Sequence, residues 1–111
     1  MVKRERQRYV LFNLIIEEET YFNKNDLLKS IWASIWRFFG MKEANKIGLW
    51  LLDFDIKEKY GIIRCSHNTM ETIISALTLI MDINGKRVII SPIKTSGTVK
   101  SIKKVRLSMA G

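Results

Sequence analysis

Apolar residues along this chain follow two rhythms, dense β-branched runs that suit strands and a 3.6-residue period that suits helices. Residues 8–17, Arg-Tyr-Val-Leu-Phe-Asn-Leu-Ile-Ile-Glu, are rich in β-branched and aromatic side chains and predict a strand. Leu27, Leu28, Ile31, Trp32, Ile35, Trp36, Phe38 and Phe39 then cover about half a helical circumference at ~100° per residue. Asn25 or Asp26 can cap that helix, and Gly40 can end it in a left-handed turn. Two strands are predicted over 47–55 and 60–66, joined by the charged loop Ile56-Lys57-Glu58-Lys59. A second helix is predicted from an Asn68 cap to about Met81, burying Met70, Ile73, Ile74, Leu77 and Met81. Asn84-Gly85 reads as closing that helix and launching a strand over 87–93 rather than as a hairpin turn. Pro92 places the end of that strand at a sheet edge. Ser96-Gly97-Thr98 breaks the chain, and Val99, Ile102, Val105 and Met109 give the basic tail one weakly apolar helical face.

The order β-α-β-β-α-β, with two right-handed crossovers and one hairpin, predicts a ferredoxin-like (RRM-like) α+β sandwich. Both helices would cover one face of a four-stranded antiparallel sheet. The 111 residues form one domain, a sandwich core over 8–94 followed by a basic C-terminal extension over 95–111. Val10, Phe12, Leu14, Trp50, Leu52, Phe54, Ile63 and Cys65 are expected to face the helices. That leaves Tyr9, Leu11, Ile15, Leu49, Leu51 and Ile62 on the open face, which is too apolar for water alone. The tail, a second copy of the chain or another protein should cover part of it.

Composition narrows the class. A chain that is 47% hydrophobic is neither disordered nor fibrous. No signal peptide and no apolar run of membrane-spanning length is seen, which predicts a soluble cytoplasmic protein. One cysteine, Cys65, cannot form an internal disulfide, and no Cys/His cluster suggests structural zinc. The net charge of +8 sits on the two ends. Residues 1–8 hold Lys3, Arg4, Arg6 and Arg8 against Glu5, whereas 94–111 hold Lys94, Lys100, Lys103, Lys104 and Arg106 with no acid. A neutral body with basic ends points to a polyanion, since each cation that meets a phosphate releases counterion. Basic tails that only keep the chain soluble are the competing explanation.

Candidate chemistry is sparse. The open face of such a sheet binds RNA by stacking bases on rings of the central strands. Lys59-Tyr60-Gly61-Ile62-Ile63-Arg64-Cys65 offers isoleucines where those rings would be, so RNA contact should be dominated by phosphate, with Tyr9 and Arg64 helping. Ser96-Gly97-Thr98 beside Lys94 and Lys100 can cradle a phosphate at a helix start, or can be a plain turn and cap. Asp53 and Asp55, two apart on a strand, share a face and could ligate Mg²⁺ as in a small nuclease, or simply balance Lys57 and Lys59. His67 has no partner placed by sequence for acid–base work. No catalytic or metal-ligating residue is assigned. Trp32 and Trp36, on the edge of the wide apolar helix face, together with Leu49 and Leu51 on the sheet, are the candidate protein-partner residues.

Arg8-Tyr9-Val10-Leu11-Phe12, Ile47-Gly48-Leu49-Trp50-Leu51 with Phe54-Asp55, and Gly61-Ile62-Ile63-Arg64-Cys65 together resemble one family. Ile83-Asn84-Gly85-Lys86-Arg87-Val88 and Ser96-Gly97-Thr98-Val99-Lys100 continue the match. The chain resembles the ribonuclease P protein component 2 family of archaeal and eukaryotic-type enzymes, over roughly residues 8–104. The resemblance implies a non-catalytic subunit supporting an RNA that removes 5′ leaders from precursor tRNA, with Mg²⁺ used by that RNA and no cofactor on this chain. It also implies a TIM-barrel-like partner, component 3, and a pair of such heterodimers as a heterotetramer. Two other readings stay open: a small Mg²⁺-dependent nuclease using Asp53 and Asp55, and a protein-interaction module. The RNA-contact candidates, nominated from charge and position, are Lys3, Arg4, Arg6, Arg8, Arg64, Lys94, Ser96, Thr98, Lys100, Lys103 and Lys104.

Overall fold

The β-rich and helical segments pair as the hydrophobic rhythm suggests. A computed structural model describes residues 6–16 and 21–109. In chain order it holds β1 (Gln7–Ile16), α1 (Lys24–Ala44), β2 (Leu49–Asp55), β3 (Tyr60–Ser66), α2 (Met70–Leu79), β4 (Asp82–Ile83), β5 (Lys86–Ser96) and α3 (Val99–Met109). The sheet order is β2-β3-β1-β5-β4, and every neighbouring pair is antiparallel. Its first four strands make the ferredoxin-like arrangement. The fifth strand was not expected. Asn84 and Gly85, with φ of 54° and 78°, form a tight hairpin turn that folds Asp82–Ile83 back onto Lys86 and Arg87.

Both helix starts lie earlier or are built differently than the pattern predicts. Asn23, not Asn25 or Asp26, caps α1: its side chain accepts from the Asp26 N–H at 2.9 Å, and the Asp26 carboxylate accepts from the Asn23 N–H at 3.1 Å. This reciprocal capping box satisfies two otherwise unpaired donors. Gly40 bends the helix rather than ending it, since with φ 81° and ψ 173° it joins a further turn, Met41 to Ala44. Asn68 lies inside a 3₁₀ turn, His67–Thr69, that leads into α2. Ile80 leaves α2 in an extended conformation and is buried, which turns Met81 outward to 69% exposure instead of into the core.

The main core lies between one sheet face and the two helices, with Val10, Phe12, Leu14, Ile63 and Cys65 meeting Leu27, Ile31, Ile35, Ile73 and Leu77. Ser34, buried between the helices, donates to the Ala76 carbonyl at 2.8 Å. Strand β2 corrects the expected faces. Leu49 and Leu51 point inward with this core, whereas Trp50 and Leu52 are exposed. The cause is a bulge: Leu51 pairs with Ile63 but Asp53 already pairs with Ile62, so Leu52 is an extra residue. Past it the alternation changes phase, and Phe54 returns inward to stack on Phe22 at 5.6 Å.

The opposite face is partly covered by the chain's own tail. Helix α3 buries Ile102 completely against Leu11 and Ile62, with Tyr9, Tyr60 and Val105 around them. The Arg106 guanidinium lies 4.2 Å from the Tyr60 ring centroid and 3.9 Å from Glu58. Strand β5 runs three residues past the predicted end. It passes Pro92 at a second irregularity, where Phe12 faces Pro92 and Leu11 faces Lys94.

Candidate nucleic-acid interface

Strand register places several sequence candidates on one face. Across four strands, Trp50, Arg64, Tyr9 and Ser96 stand opposite one another in a single row. In the next row Leu11 faces Lys94. The Arg64 guanidinium lies over the Trp50 ring at 4.5 Å from its centroid, a cation–π geometry. Its Nε is buried and has no hydrogen-bond partner. Arg8 lies at the end of the sheet, where its guanidinium sits 3.3 Å from the position of a Cβ on Gly97 and donates to the Gln7 carbonyl at 3.1 Å. Arg6 is exposed at the same end, and its carbonyl accepts from the His67 N–H. Lys3 and Arg4 lie outside the described residues, as does the side chain of Met109.

Lys94 is exposed, and Lys100, Lys103 and Lys104 are exposed on α3 away from Ile102. The Ser96-Gly97-Thr98 segment is spent on capping. The Ser96 Oγ accepts from the Thr98 N–H at 3.2 Å, and the Thr98 Oγ1 accepts from the Ser101 N–H at 3.3 Å. These hydroxyls therefore start α3 and aim its basic outer ridge.

The proposed protein-contact residues divide. Trp36 is 46% exposed, whereas Trp32 is half-buried and packs on the core. Leu51 is buried and Leu49 packs on the core, so neither is available to a partner, because the β2 bulge gives that outward position to Trp50. Phe38, Met41, Leu79 and Met81 are exposed on the helical side and were not among the candidates. The signal for Phe38 was present in the width of the apolar helix face. That for Trp50 was hidden by the bulge.

The carboxylates proposed for a nuclease have local partners. Asp53 accepts from the Tyr60 hydroxyl at 2.8 Å. Asp55 accepts from the backbone N–H groups of Lys57 and Glu58 at 2.9 and 3.1 Å, closing the β2–β3 turn. The Tyr60 hydroxyl is held above the usual tyrosine range, first by burial and then by its bond to the Asp53 carboxylate. Among the described residues, no group of three or more His, Cys, Asp or Glu side chains gathers as metal ligands would. His67 is exposed, and burial pushes the Cys65 thiol up to about 11. Nor is any helix among them long and apolar enough to cross a membrane.

Ribonuclease P protein component 2 of Pyrococcus furiosus is 39% identical over 97% of this chain and 88% of its own length. The protein of the same name from Pyrococcus abyssi is 37% identical over 97% and 90%. A chain in a structure of yeast ribonuclease MRP superposes with a TM-score of 0.72 over 99% of this chain and 95% of that one. At 13% identity, that likeness shows the shared fold. The family model described as the Rpp14/Pop5 family matches residues 8–107, and the chain belongs to this family.

Proposed function

We propose that this chain is a non-catalytic protein subunit of ribonuclease P, supporting the catalytic RNA as it removes 5′ leaders from precursor tRNA. The family match over residues 8–107 carries this reading. The face holding Arg64, Lys94 and α3 supports an RNA contact, because Lys94, Lys100, Lys103 and Lys104 are exposed, the Arg64 Nε lacks a hydrogen-bond partner, and the acids lie at the Tyr60 end. In this reading Mg²⁺ serves the RNA, no cofactor is held by this chain, and the complex works in the cytoplasm. A TIM-barrel-like subunit, component 3, is the proposed protein partner, with two heterodimers forming a heterotetramer. The exposed Trp36, Phe38, Met41, Leu79 and Met81 on the helical side are the apolar surface available to it.

The test is precursor tRNA cleavage by a ribonuclease P RNA at low Mg²⁺, with this chain and component 3 added singly and together. Rescue by the pair, and none by the chain without RNA, is the expected result. Cleavage by this chain alone would make the protein the catalyst and would direct mutagenesis to Asp53 and Asp55.

A further inference from the structure

The usual aromatic positions on β3 are isoleucines, yet the outward row still carries two rings. Trp50 comes from β2 and Tyr9 from β1, with Arg64 between them. Trp50 is 51% exposed, and the apolar contacts of α3 are with Tyr9 and Leu11 of β1 and with Tyr60 and Ile62 of β3. Among the described residues the Arg64 side chain makes no ion pair: its charge rests on the indole, and its Nε has no hydrogen-bond partner. An indole of this exposure, a cation without a counter-charge and further lysines on one side describe a surface complementary to an anionic chain of flat rings. The acids lie on the other side, where Asp53, Asp55 and Glu58 cluster round Tyr60 and would repel phosphate.

We infer that Trp50, Arg64 and Tyr9 form a stacking subsite for one or two unpaired nucleotides of RNA. This rests on the proposed RNA-bound function and gives it a location. A base stacks on the exposed indole of Trp50, and the neighbouring phosphate meets the Arg64 guanidinium. Strands lie ~4.8 Å apart, so the row from Trp50 to Ser96 spans roughly 14 Å, enough for two nucleotides heading toward Lys94 and Lys100. Duplex RNA keeps its bases stacked on each other and cannot use such a subsite.

The full chain is titrated with a short single-stranded oligouridylate and with a blunt RNA duplex of the same length, reading tryptophan emission and the anisotropy of labelled RNA. The single strand should quench emission, and Trp50→Phe should remove that quench while keeping most of the affinity, because Trp32 and Trp36 lie on α1 across the sheet. Trp50→Ala should weaken single-strand binding about 5- to 150-fold, with duplex binding and the salt dependence unchanged. Arg64→Gln should reduce the log–log salt slope by about 0.7, one phosphate's share for a single strand. Quenching that survives in Trp50→Phe, or equal losses on both RNAs in Trp50→Ala, would overturn the subsite and leave the RNA-bound function standing. If wild-type protein binds neither RNA even at low salt, the proposed RNA contact itself fails. Should Trp50→Ala unfold, as a thermal melt would reveal, the quench in Trp50→Phe decides alone.

Discussion

Gly61 sits in β3 directly under the ring of Phe12, in a spot where a Cβ would overlap that ring. Phe12 is fully buried and cannot swing aside, so the glycine is a packing requirement. Gly61→Ala should cost about 1–3 kcal/mol in urea unfolding, as overpacking does, and adding Phe12→Leu should recover part of the loss. Four residues further along β3, Cys65 is buried on the same sheet face, and desolvation raises its thiol from 9.0 to about 11. The folded chain thus holds the proton longer than the unfolded one. The stability this confers is complete below about pH 9 and is lost as pH rises toward 11. Unfolding midpoints followed across that window should fall more steeply for the wild type than for Cys65→Val. At pH 8 a thiol reagent should label Cys65 only in denaturant. The inward setting of Cys65 and Phe12 was readable from strand alternation. The demand for glycine at 61 was not, because it comes from one ring reaching across from another strand.

Helix α3 shows how an element can be legible in outline and not in placement. Its weak apolar face predicted a helix, and the excess apolar surface of the open sheet predicted a cover, but only folding brings Ile102 onto Leu11 and Ile62. The helix therefore has one buried side and one basic side with separable roles. Ile102→Ala should cost about 2 kcal/mol, the low end for such a truncation, and should speed amide exchange across Val99–Met109. Replacing Lys100, Lys103 and Lys104 together with Gln should move stability by no more than about 0.5 kcal/mol each while weakening RNA binding. Other element errors have local causes. Left-handed φ at Asn84 and Gly85 makes a hairpin with only two residues of strand before it, too short for periodicity to register. A helical period carried past Leu79 would set Met81 inward, but the backbone has already turned extended at Ile80.

At the scale of the molecule, the element order and the basic ends were sufficient to reach the sandwich and a polyanionic partner. They were not sufficient to say which side carries the surface proposed for RNA, because that depends on which residues of β2 face outward. Helices α1 and α2 hold the apolar exposure of Trp36, Phe38 and Leu79 on one side, and the sheet with α3 holds Trp50, Arg64 and the lysines on the other. The surfaces proposed for a protein and for a nucleic acid thus lie on opposite sides, where neither partner would displace the other. The boundary between these sides passes through Leu52. A strand has a reading frame of two, and this one carries a single inserted letter: without Leu52, the sequence Leu-Trp-Leu-Asp-Phe-Asp alternates inward and outward without a break. Deleting Leu52 should accordingly leave a cooperative thermal transition, whereas deleting Ile62 from the doubly paired β3 should abolish it. The loop-side half of β2 keeps its partners in the first case, and in the second every later side chain of β3 is handed to the opposite solvent.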